Sequence, residues 1–382
     1  LTLVFLNIRF SRQKPYTDTS LKAKIKLPTI LFTVSAVGLF FLLTFIANIH
    51  PYGEWDAWAL WNMKLKFLIF GGKEWKNIFT ELHWSTQPDY PLLLVFLNMT
   101  PFAFFNHYLL QIPMATAVYL TFTSGLVLFS AIKRISTTTI GLFAFILLMG
   151  NSFFLFQSTS QYSDVLLGLY LLCSFVCISL FADTKNPNYA ALLGIFLGLM
   201  TFTKNEGIVM VALLSMLFLY YIFHPRLSGI LDKKTAIKIF LISLITASLL
   251  TFYFKIFLAP RNRDIYIVIN FSSTPLNFFN LDGLSLILKK FQKEFLHLHW
   301  SYLWIFCGIL ILSGCRKIFH RECRIFSLFF ILYFLVLIFI YLTTAHFDLS
   351  WRLDNTLARI LTYLLPSILY YSFTLNYHPD KS

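Results

Sequence analysis

Charge is what this chain has least of. Of its 382 residues only 13% are Asp, Glu, Lys or Arg, and just 17 residues are acidic. A soluble domain of this length carries roughly twice that share, so a water-soluble globular class is excluded. Cysteine is nearly as scarce. The five present (Cys173, Cys177, Cys307, Cys315 and Cys323) lie in or beside apolar runs and suggest neither a disulfide framework nor a metal site. There is no HExxH or CxxC pattern, no low-complexity tract, no internal repeat and no separate soluble stretch. The missing repeat also removes the duplicated halves on which many transporters are built.

What the chain has in place of charge is apolar length. Hydrophobic residues make up 58% and mean hydropathy is +0.70; a chain of this kind buries its apolar surface in lipid. The reading is an all-α polytopic membrane protein of about ten transmembrane helices, each near the ~20 residues that cross a bilayer. The spans fall near 29–49, 109–131, 138–157, 164–182, 188–203, 207–223, 236–258, 302–315, 325–343 and 357–376. The apolar stretch 91–105, interrupted by Pro101, reads as a re-entrant or surface helix instead. Gly194 and Gly198, four residues apart, predict close helix packing.

Charge placement sets the expected orientation. A basic segment, 1–28, precedes the first span, is not followed by a small-residue cleavage site and is expected in the cytoplasm. Residues 29–376 form the transmembrane domain, including an outer loop 50–108 with juxtamembrane helices, and 377–382 form a cytoplasmic tail. Alternating the spans places most Lys and Arg inside and most carboxylates outside. The net charge of +14 is therefore a topology signal and suggests no nucleic-acid partner. Acid–base chemistry is expected on the outer face.

The outer loops are where polar residues gather. After the first span comes Glu54-Trp55-Asp56-Ala57-Trp58, with Pro51 and Gly53 stopping the helix. Trp58, Trp61, Leu65 and Leu68 then recur at helical spacing, with Lys64 and Lys66 among them. That pattern predicts an interfacial helix with its lysines toward lipid phosphates. Asp56 is either a helix N-cap or a functional carboxylate. A second carboxylate, Asp89, follows in Gln87-Pro88-Asp89-Tyr90-Pro91. Asp164 opens the fourth span in Tyr162-Ser163-Asp164, where helix polarity alone would favour it. Lys204 and Glu206 lie at the outer turn in Thr203-Lys204-Asn205-Glu206-Gly207 and are costly there unless paired or functional. Arg352 precedes the last span, and Arg359 lies about one turn into it, where it needs an anionic partner such as a phosphate, Asp348 or Asp354.

In order and in outer-face placement these segments resemble the GT-C superfamily of glycosyltransferases that use polyprenyl-phosphate sugars. The nearer types are protein O-mannosyltransferases and lipid A aminoarabinose transferases. The resemblance spans roughly residues 30–370, although each motif is short. Asp56 matches the family's Asp just past the first span, and Gln87–Leu93 its second outer motif. Tyr162–Asp164 resembles its Tyr-Ala-Asp, Thr203-Lys204 its Thr-Lys, and Thr343–Arg359 a motif of some bacterial members, with Arg352 where those carry His.

The resemblance implies an inverting sugar transfer from a polyprenyl-phosphate donor to a lipid, polysaccharide or protein acceptor at a bacterial inner membrane. Asp56, with Asp89 second, would be the general base; Arg359, Lys204 and Lys64 would attend the donor phosphate; Glu54, Asp164, Tyr90 and Arg352 are further site candidates. No cofactor or required metal is expected, His297 and His299 alone being a weak ligand pair. The alternative is a transporter, flippase or polymer ligase of lipid-linked glycans; it fits less well, because the middles of several spans are free of charge.

Overall fold

A computed structural model of the chain describes residues 27–105, 109–224, 232–261, 281–343 and 348–377. The expected basic N-terminal segment therefore lies almost wholly outside the described residues, as do Thr344–Phe347 and most of the tail. Among the described residues the chain is helical, with no strands.

The helices in chain order are α1 (Leu27–Ile49), α2 (Asn62–Phe70), α3 (Leu93–Phe105), α4 (Gln111–Ile135), α5 (Thr138–Met149), α6 (Ser152–Thr159) and α7 (Asp164–Thr184). They continue with α8 (Pro187–Thr203), α9 (Asn205–Phe223), α10 (Lys233–Phe257), α11 (Leu281–Phe295), α12 (Leu303–Ser313), α13 (Arg321–Thr343) and α14 (Leu349–Tyr377). Six of these are long and apolar enough to cross a membrane: α1, α4, α7, α9, α10 and most of α13. The protein is an integral membrane protein.

The count of about ten spans is not confirmed. The run read as one span over 138–157 is two helices, α5 and α6, bent by 64°. The break has a local cause. Gly150 ends α5, and the Asn151 side chain accepts from the Phe154 backbone N–H at 2.7 Å to cap α6. Counting that bent pair as one span gives seven. Helices α3, α8 and α12 are apolar but short, at 13, 17 and 11 residues. Helix α14 runs 29 residues, with a polar N-terminal end and Pro366 inside.

The core is built around α7. Every residue from Asp164 to Ala182 is buried, enclosed by α4, α8 and α14. Such all-round burial needs small residues where backbones meet. A Cβ on Gly168 would lie 2.7 Å from the Tyr363 carbonyl oxygen of α14. The expected Gly194–Gly198 contact is also present: α8 packs on α10, and a Cβ on Gly194 would stand 2.6 Å from the Phe240 carbonyl oxygen. By contrast α1 and α10 show long apolar faces outward, including Phe41, Phe45, Leu249 and Phe252, as helices in contact with lipid do.

Between α1 and α3 the chain stays irregular. A turn at Pro51–Gly53 is followed by one π-helical turn (Ala57–Trp61), then α2 and two 3-10 segments, Gly72–Phe79 and Glu81–Thr86. The interfacial-helix pattern is only partly realised. Trp58 is exposed, but Trp61, Lys64 and Leu65 are buried. The spacing found a helix here and gave one of its two lysines, Lys64, the wrong side, while Lys66 is exposed.

Candidate active site

The site grows from the mouths of α7, α9 and α14 and from the loop after α1. Asp164 is the first residue of α7, and its two oxygens hold two cations. Lys204 Nζ, at the α8–α9 turn, donates to Oδ1 at 2.9 Å. From α14, Arg359 Nε and Nη2 donate to Oδ2 at 3.1 and 2.9 Å. Arg359 Nη1 donates to Asp56 Oδ2, and the guanidinium lies over the Tyr162 ring, 4.4 Å from its centre. One arginine therefore joins the loop after α1 to the mouth of α7. Its partners are Asp56 and Asp164; of the anions expected, a phosphate, Asp348 or Asp354, the two carboxylates are not the ones it meets. Those two are engaged elsewhere: Asp348 accepts from the Trp351 N–H, and Asp354 pairs with Lys290 at 2.6 Å.

Asp56 does not act as a helix cap; its side chain accepts no cap hydrogen bond. It stands just before the π-helical turn, a distortion often found at functional sites. About a fifth of its side chain is open to solvent, against 3% for Asp164. Asp164 is thus spent on holding two cations, while Asp56 still faces outward. Glu54 lies near Tyr162 and His50, within electrostatic reach of both. Burial pushes the Tyr162 hydroxyl up and the His50 ring down from their ordinary values.

Lys204 also pairs with Glu206 at 3.2 Å, as the short spacing allowed. Burial by itself would lower this ammonium's pKa, but Asp164 and Glu206 outweigh it and hold it above its usual value. The Tyr90 hydroxyl donates to the same Glu206 oxygen at 3.4 Å.

A second group of cations grips the segment 87–90. Lys64 is fully buried, and its Nζ donates to the Gln87 and Tyr90 carbonyls at 2.7 and 3.4 Å. Burial pulls its pKa down to about 7, with Asp89 opposing that shift. Lys255, near the end of α10, donates to the Asp89 carbonyl at 2.6 Å and to Asn205 Oδ1 at 2.7 Å. Asn205 in turn donates to Asp89 Oδ2 at 2.7 Å. Lys64 was read as facing lipid phosphates; here it braces a loop from inside.

Asp56, Asp164, Lys204 and Arg359 are brought into one chain of contacts, with Tyr90 and Glu206 attached, and Asp89 and Lys64 beside it. Arg352 lies two turns nearer the N-terminus of α14. Lys255 and Asn205 were missed. Lys255 could have been found as a lysine in the last turn of an apolar span, which is costly unless paired; Asn205 carries no such signal. Farther off, His299 Nε2 lies 2.9 Å from Glu294 Oε1, to which Trp300 also donates. No three His, Cys, Asp or Glu side chains among the described residues are grouped so as to hold a metal.

Residues 89–253 match the family described as dolichyl-phosphate-mannose-protein mannosyltransferase. Among solved structures the chain is similar to ArnT from Cupriavidus metallidurans bound to undecaprenyl phosphate, with 12% identity and a TM-score of 0.59. The similarity covers 91% of this chain and 59% of that one, so the chain spans about three-fifths of that protein's length. No curated protein matches.

Proposed function

We propose, from the premise that this chain is a membrane protein of the GT-C superfamily fold, that it transfers a sugar from a polyprenyl-phosphate donor to a hydroxyl acceptor outside the cytoplasm. The matched family's description and the lipid phosphate bound in the similar structure both favour such a donor. The observation that carries the reading is the Asp56–Arg359–Asp164–Lys204 chain of contacts at the outer helix mouths.

In this reading the acceptor hydroxyl loses its proton to the Asp56 carboxylate as its oxygen bonds to the sugar's anomeric carbon. The bond from that carbon to the phosphate oxygen breaks, and the polyprenyl phosphate leaves with the electron pair. Arg359 and Lys204 stabilise the charge that develops on it. A single displacement inverts the anomeric centre. Asp164 positions both cations and takes no proton. Asp89, bonded to Asn205, holds the loop that carries Tyr90 and serves less well as a base. Lys64 acts on the same loop, not on the phosphate. The transmembrane domain is 29–376, the N-terminus is cytoplasmic and the setting is a bacterial inner membrane; the acceptor is a lipid, polysaccharide or protein of the envelope.

The test is transfer from radiolabelled polyprenyl-phosphate sugars to envelope acceptors in membranes holding the protein. Asp56→Asn is expected to lower turnover at least 100-fold, in line with the usual contribution of a general base, with donor affinity kept or raised, because Arg359 loses a competing carboxylate. No transfer from any such donor, or a fully active Asp56→Asn, would overturn the proposal.

A further inference from the structure

Arg352 is a cation near the site that the proposed reaction does not use. It lies in the first turn of α14, where the positive end of the helix dipole disfavours a cation. Its guanidinium lies over the Tyr341 ring, 5.4 Å from the centre. Its Nη1 is buried and has no hydrogen-bond partner among the described residues. The two acids nearest in sequence do not supply one, since Asp348 caps the Trp351 N–H and Asp354 is bound by Lys290. A guanidinium nitrogen that is buried without an acceptor has donors free for an oxyanion.

Its place on the helix relates it to the site. Arg352 and Arg359 are seven residues apart, so they share a face of α14 about 10 Å apart along its axis. Thr356 lies between them, donating to the Arg352 carbonyl and bonded to the Tyr341 hydroxyl at 2.5 Å. Tyr341 is also within electrostatic reach of Glu206, whose Oε2 is likewise buried without a partner among the described residues. The two guanidiniums also face different neighbours, Arg359 turned to Asp56 and Asp164 and Arg352 to the Tyr341 ring.

We propose that Arg352 is an oxyanion-binding residue for a second substrate group, a phosphate or carboxylate distinct from the one that Arg359 and Lys204 would serve. The inference rests on the glycosyltransferase reading only for the word substrate; the binding site stands or falls by itself.

Binding of inorganic phosphate to the purified full chain, read as a thermal shift, tests it without any transfer assay. Phosphate is expected to raise the melting temperature of wild type and of Arg352→Lys, and to do so at least fivefold less effectively for Arg352→Gln. The Lys variant guards against a mere folding defect. An equal shift in wild type and Arg352→Gln overturns the site. Undecaprenyl phosphate is then added to saturation. If phosphate still stabilises wild type but not Arg352→Gln, the second oxyanion is separate from the donor's. If the lipid abolishes the phosphate effect, Arg352 serves the donor phosphate and the second site is wrong. A result in favour alongside failed sugar transfer would leave the site standing and remove the function proposed above.

Discussion

At the scale of single residues, the informative group is Lys64. A lysine in a dry interior normally gives up its charge or finds a carboxylate; this one is bound to two backbone carbonyls. Its pKa of about 7 has a direct consequence for stability. Between about pH 7 and the ordinary lysine value near 10.4, the unfolded chain holds a proton that the folded chain has released. Stability contributed by this residue therefore rises with pH across that window and is least below it. The melting temperature of wild type relative to Lys64→Met is expected to increase between pH 6.5 and pH 10. A difference that stays flat with pH would mean that Lys64 keeps its ordinary titration. The sequence showed a lysine at helical spacing among tryptophans. It could not show which side of the helix met the loop at 87–90, because that loop packs against α2 only in three dimensions.

At the scale of elements, α7 and α14 are set against each other by one glycine. Gly168 lies one helical turn past Asp164, and Tyr363 one turn past Arg359, so the contact between Gly168 and Tyr363 lies directly beneath the ion pair. Gly168→Ala would place a methyl group 2.7 Å from a backbone oxygen and 3.0 Å from a Cα. Neither atom can swing aside as a flexible side chain would. The cost is about 1–3 kcal/mol by analogy with overpacked cores, and the helices must part by a few tenths of an ångström. Gly168→Ala is expected to lower both melting temperature and turnover, while Gly38→Ala, a site with open space around it, changes neither. Equal behaviour of the two variants would show that this contact does not set the site.

The helices themselves were legible in the sequence, since apolar length alone marked most of them. The break between α5 and α6 was not, because Gly150 and Asn151 sit inside an apolar run long enough to be read as one span. The partners of Arg359 were not either: Asp56 and Asp164 stand 303 and 195 residues away in sequence. The need for an anion could be inferred from the depth of Arg359, whereas its identity depends on tertiary packing.

At the scale of the whole molecule, the claim most open to test is orientation. The proposed topology puts the loop holding Asp89 outside and the segment around Cys315 inside. Cys315 is exposed, and the other four cysteines are buried, so it serves as an internal reference. In intact cells a membrane-impermeant thiol reagent is expected to label Ser85→Cys, an exposed position, and to leave Cys315 unlabelled until the membrane is opened. The reverse pattern would invert the topology and move the proposed chemistry to the cytoplasmic face.

The pairing of Arg359 bears on how a donor could arrive. The site holds four carboxylates (Asp56, Asp89, Asp164 and Glu206) against Lys204, Lys255, Arg359 and a Lys64 that is about half-protonated near pH 7, so it carries no net positive charge. Such a cluster casts little long-range field, so it cannot draw an anionic lipid from a distance. Under the proposed function, the donor would instead arrive by diffusion in the plane of the bilayer and then exchange places with a carboxylate on the arginine. An exchange of one anion for another is nearly balanced in energy. The spent lipid phosphate would therefore leave by the same swap, with Asp56 reclaiming its cation as the lipid departs.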